Sequence, residues 1–86
     1  MDPYKILSHP INTEKAVRLM ESENKLLFSV SMNSTKEQIK NAVQDLFKVK
    51  VIKVNTLITS DGEKRAYIKL SKENHAADVM TQLGLM

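Results

Sequence analysis

Between Lys25 and Phe47 the hydrophobic period lengthens from two residues to about three and a half. That change confines the chain to folds that combine strands with helices. Over 25–32 the residues alternate, with Leu26, Phe28, Val30 and Met32 on one side and Lys25, Leu27, Ser29 and Ser31 on the other. This is the pattern of a strand buried on one face. After it, Ser34 with Glu37, or Thr35 with Gln38 one residue on, offers a capping box. Ile39, Ala42, Val43, Leu46 and Phe47 then form one apolar stripe of a helix.

Both ends of the chain carry comparable signals. Pro3 and Pro10 make the opening an extended arm, with room for a short strand around Tyr4–Leu7. A helix follows, capped by Asn12 or Thr13, with Glu14 at the positive end of its dipole and an end near Ser22. A strand over 51–59 places Ile52, Val54, Thr56 and Ile58 on one face. Val49 and Val51 are out of phase with that set, so a bend or bulge is expected near Val51. Asp61-Gly62 turns the chain into a return strand over 64–70, with Ala66, Ile68 and Leu70 inward and Arg65, Tyr67 and Lys69 outward. Ser71 is placed as the cap of a last helix with the stripe Ala76, Val79, Met80 and Leu83, ended by Gly84. The expected order is (β)αβαββα, an α+β domain with an antiparallel sheet of three to four strands flanked by helices.

At 86 residues this is one small domain, 1–86, and its 42% hydrophobic content is too high for a disordered chain. With no cysteine, disulfides, thiolate metal sites and thiol catalysis are excluded. His9 and His75 lie 66 positions apart, with no carboxylate pair at ligand spacing, which argues against a metal site. The two glycines are too far apart to form a phosphate-cradling loop, and no serine is marked as activated. The expectation is a non-enzyme without cofactor. No apolar run approaches a membrane span, and Asp2-Pro3-Tyr4-Lys5 does not open a secretory signal, so a cytoplasmic protein without membrane insertion is expected.

Charge placement says more than the net +3. Segments 25–32, 48–59 and 64–72 hold eight basic residues and no acidic one. On the outward sheet face Lys25, Lys53, Arg65 and Lys69 surround Tyr67, Leu57 and Asn55. Such a surface suits RNA: cations for phosphates, a ring for a base or ribose, an amide for base edges. It also suits a plainly solvated face whose lysines discourage edge pairing. Ala66–Leu70 is similar to the second half of an RNA-recognition-motif signature, but Lys64 and Arg65 replace the glycine and aromatic of the first half.

His9-Pro10-Ile11-Asn12-Thr13-Glu14-Lys15-Ala16 resembles the opening of the universal large-subunit ribosomal protein twenty-three family, found at the rim of the nascent-chain exit tunnel. The helix 35–43, the strand Val51-Ile52-Lys53-Val54-Asn55-Thr56 and the hairpin Asp61-Gly62-Glu63-Lys64-Arg65-Ala66-Tyr67 follow in that family's order. The resemblance runs from Tyr4 to Leu85. It implies a structural ribosomal protein that binds large-subunit ribosomal RNA, contacts neighbouring ribosomal proteins, and is a monomer outside the ribosome. The implied RNA contacts are His9, Thr13, Lys15, Lys25, Lys53, Asn55, Thr56, Lys64, Arg65, Tyr67 and Lys69. Glu14 is the implied docking residue for factors such as the signal recognition particle and the translocon. Only Thr59–Glu63 joins the hairpin strands, where bacterial members carry a long loop. The chain is thus similar to the archaeal or eukaryotic-core type, which counts against a trigger-factor partner. A free-standing ferredoxin-like binding or regulatory domain for RNA, protein or a small ligand is the alternative.

Overall fold

The computed structural model describes residues 6–11 and 13–82. Expectations that fall on Tyr4, Lys5, Asn12, Leu83 and Gly84 lie outside the described residues. The elements are β1 (Leu7–Pro10), α1 (Glu14–Glu23), β2 (Lys25–Val30), α2 (Lys36–Phe47), β3 (Val51–Ile58), β4 (Lys64–Leu70) and α3 (Ala76–Gln82). One antiparallel sheet has the order β1-β2-β4-β3. The α+β class and the element order agree with the reading of the sequence.

Local chemistry sets most of the boundaries. Thr13 caps α1, its Oγ1 accepting from the Ala16 amide at 3.2 Å. Of the two capping boxes available to α2, the chain uses Thr35 with Gln38, whose reciprocal bonds are 3.1 and 3.0 Å. Ser34 is spent otherwise: its hydroxyl donates to the Ser31 carbonyl at 2.6 Å and closes a turn. That turn ends β2 at Val30, two residues early, and leaves Met32 exposed rather than inward. In the β3–β4 turn Gly62 has φ +83°, the left-handed geometry that a glycine adopts without cost. The Thr59 amide donates to Glu63 O at 2.8 Å and closes the loop.

α2 and α3 bury their stripes on one side of the sheet, and Val17 and Met20 of α1 join them there. Leu26, Phe28, Ile68 and Leu70 meet Met20 of α1, Ile39, Ala42 and Val43 of α2, and Val79 and Met80 of α3. Among the described residues no buried side-chain polar atom lacks a hydrogen-bond partner.

Besides Met32, four expectations need correcting. First, the opening strand lies at Leu7–Pro10 and ends on a proline. This is allowed because β1 is an edge strand, where a missing amide breaks no ladder. Second, β2 is buried on both faces. Ile11 and Ala16 cross the outer face and pack on Leu27 and Tyr67, and Ser29 is buried as well. Third, Ile52 is not inward: the expected bulge falls between Val51 and Lys53, turns Val51 and Val54 inward and expels Ile52 to 56% exposure. Fourth, α3 begins at Ala76, not beside Ser71. Ser71 heads a turn to Asn74, and the first free amide of the helix, that of Ala76, is taken by the side chain of Asn24 at 2.7 Å.

Candidate nucleic-acid interface

Strand register turns the outward face into three rows. Lys25, Lys69 and Lys53 are directly opposed across β2, β4 and β3. Leu27, Tyr67 and Asn55 form the next row. His9, Ser29, Arg65 and Leu57 form the third. Like charges directly opposite one another destabilise a sheet. Only part of this cost is offset internally: Lys25 pairs with Glu23 at 3.1 Å, while Lys53 and Lys69 are exposed with no ion-pair partner among the described residues. The strands are held in this register by the core beneath them, so the cationic row is built into the backbone pairing.

The other outward groups are more constrained. Arg65 Nε donates to Glu63 Oε1 at 2.6 Å, which leaves the two terminal nitrogens of the guanidinium for another acceptor. That bond, working against partial burial, pushes the Arg65 pKa above its ordinary value, so the group is a permanent cation. Tyr67 is half-buried against Leu27, Ile11 and Ala16, and the Lys15 ammonium lies 6.0 Å from its ring centroid. The ring therefore anchors the segment leading into α1 and carries a cation above it, in place of a bare platform for a base. Asn55 is exposed beside it, and His9 is exposed on β1.

Three of the residues expected to bind RNA lie in inward rows or have partners of their own within the chain. Lys64 and Thr56 lie in inward rows, with Val30 and Ile58 and with Phe28 and Ala66 respectively. The Lys64 ammonium donates to the Ser34 carbonyl at 2.6 Å and so braces the start of α2. Thr13 uses its hydroxyl oxygen to cap α1. Glu14 and Lys15 diverge, as adjacent helical residues must: Lys15 turns to the sheet face, while Glu14 is exposed and pairs with Arg18 at 2.9 Å. Glu63, which fixes Arg65, was missed by the sequence reading. Its i, i+2 spacing to Arg65 across the end of the turn was the available signal.

The outward face of this small α+β domain is thus a partly neutralised cationic surface, of the kind that suits a polyanion. Residues 5–83 match the family described as Ribosomal protein L23. The large ribosomal subunit protein uL23 of Methanococcus aeolicus is 47% identical over 85 residues, 99% of this chain and 99% of that protein. The chain belongs to the ribosomal protein L23 family, and its role is structural rather than enzymatic.

Proposed function

We propose that the chain is a structural constituent of the large ribosomal subunit, working in the cytoplasm, that holds large-subunit ribosomal RNA on its outward sheet face beside the nascent-chain exit tunnel. The observation that carries this reading is the Lys25–Lys69–Lys53 row: a like-charge ladder that costs stability in isolation and is relieved by a polyanion. Arg65, Lys15, His9 and Asn55 extend the same surface. Lys64 and Thr56 support it from the other side of the sheet, without touching RNA.

Binding to a fragment of the cognate RNA should weaken as salt rises, because each neutralised phosphate releases counterions. Lys53→Gln with Lys69→Gln should flatten the log–log salt slope by about two units. Both side chains are exposed, so the thermal melting point should hold or rise. An unchanged slope would remove the lysine row from the interface.

In this role α1 is two-sided. Lys15 faces RNA, while Glu14 offers its carboxylate to factors at the tunnel exit, the signal recognition particle and the translocon among them. Glu14→Gln should weaken titration of ribosomes with signal recognition particle and leave incorporation of the chain into subunits intact. Lys15→Gln should do the reverse. Identical profiles for the two variants would end this division of labour.

A further inference from the structure

The two edges of the sheet are finished differently. β1 is blunted by its four-residue length, a bulge between Leu7 and His9, and Pro10, all devices that stop an edge from accepting another strand. β3 has eight residues, and from Lys53 to Ile58 its register runs unbroken. Its ladder phase follows from the Thr59 amide bonded to Glu63 O, because bonding directions alternate along an antiparallel strand. Asn55 and Leu57 face β4. The backbone amides and carbonyls of Val54, Thr56 and Ile58 face the open edge and have no partner among the described residues. At the near end Gln44 Oε1 of α2 accepts from the Val51 amide, so the vacant stretch starts past the bulge.

This edge is also apolar. Ile52, Leu57 and Ile58 are 56%, 46% and 57% exposed, and they are three of the four large hydrophobic residues exposed among the described residues. Leu57 belongs to the outward row and Ile58 to the inward row, so both sides of a strand laid along the edge would meet a branched side chain. Branched aliphatics offer nothing to a phosphate backbone. Segment 48–59 carries Lys48, Lys50 and Lys53 and no acid, so the edge is basic at its start.

We infer that β3 seats an added strand from a neighbouring protein of the assembled subunit: an extended segment, apolar at alternate positions, with a carboxylate toward the Lys50–Lys53 end. The vacant backbone groups supply main-chain bonds, Leu57 and Ile58 supply the apolar contacts, and the lysines set the direction. The area of so short an edge falls well below the roughly 800 Å² per partner of a stable free complex. The occupant is therefore one that the particle already holds close, where effective concentration replaces affinity. A second copy of this chain has no such tether.

A benzophenone amino acid at position 58, in place of the exposed Ile58, tests this in intact particles. Co-sedimentation of the chain with large subunits is measured first. This keeps a failure of the inference separate from a failure of the assembly reading on which it rests. Irradiation of the purified subunits should join position 58 to a peptide of another protein. Hydrogen exchange at Val54, Thr56 and Ile58 should slow at least tenfold between the free chain and the subunit, while Asn55 and Leu57 are protected in both. Ile58→Lys should keep the free chain folded and lose most of that added protection. Crosslinking to RNA, to a second copy of this chain or to nothing would overturn the inference, as would unchanged exchange at the three edge amides or full protection in Ile58→Lys.

Discussion

Phe28→Ala is expected to cost about 3–5 kcal/mol, the range for removing a buried aromatic ring and leaving a cavity. Phe28 is 2% exposed, in the centre of β2 on the helix side of the sheet. A domain of this size has a total stability of about 5–10 kcal/mol, so the variant should be marginally folded, with its midpoint lowered by well over 10 °C. Phe47 is the informative contrast. Its ring centroid lies 6.0 Å from that of Phe28 at an interplanar angle of 37°, but at the end of α2 it is only half-buried. Phe47→Ala should cost about 2 kcal/mol, because part of the ring is in water before the change. The double variant should show a coupling of about 0.5–1.5 kcal/mol for the lost ring pair. Urea denaturation of the four proteins measures all three quantities. Equal costs for the two single variants would mean that the end of α2 is packed more tightly than its exposure implies.

Elements whose cause lies within a few residues were legible in the sequence. The stripe of α2, its capping box and the Asp61-Gly62 turn are local, and each stands where the pattern put it. The bulge near Val51 was readable because two hydrophobic periods collide there, although which residue it expels was not: Ile52 goes outward. What failed depends on partners distant in sequence. Leu27 reads as an outward residue until Ile11 and Ala16 are laid across it. Pro10 reads as part of an extended arm beyond the strand until it proves to lie in an edge strand. The candidate site divides the same way. Alternation alone assigned Lys25, Lys53, Arg65, Tyr67 and Lys69 to one face. That the three lysines stand in a single row needed the β2–β4–β3 register, and the diversion of Lys64 to the Ser34 carbonyl needed the loop packed against it.

Asn24 is the residue on which the sequence reading was silent, and its replacement should be among the most damaging in the chain. It ends α1 in the left-handed region at φ +56°. Its side-chain nitrogen donates to the carbonyls of Asn74 at 2.7 Å, Ser71 at 3.1 Å and, more weakly, Leu70 at 3.4 Å. Its side-chain oxygen accepts from the Ala76 amide at 2.7 Å. One amide thus closes α1, shapes the turn after β4 and caps α3 from 52 residues away, a distance no local window spans. Asn24→Ala loses these bonds, each with a net value of about 0.5–1.5 kcal/mol, and adds about 1 kcal/mol or more for a Cβ in left-handed geometry without a compensating side chain. The sum is about 3–4 kcal/mol. Asn24→Gly removes the backbone cost but not the loss of the clamp, so it should lie about 1 kcal/mol above the alanine variant and still well below the parent. Thermal denaturation orders the three proteins. Hydrogen exchange then locates the damage, which should be concentrated in the first turn of α3, at Asp78 and Val79. If glycine restored full stability, the side-chain clamp would contribute nothing and only the backbone geometry of the α1 terminus would matter.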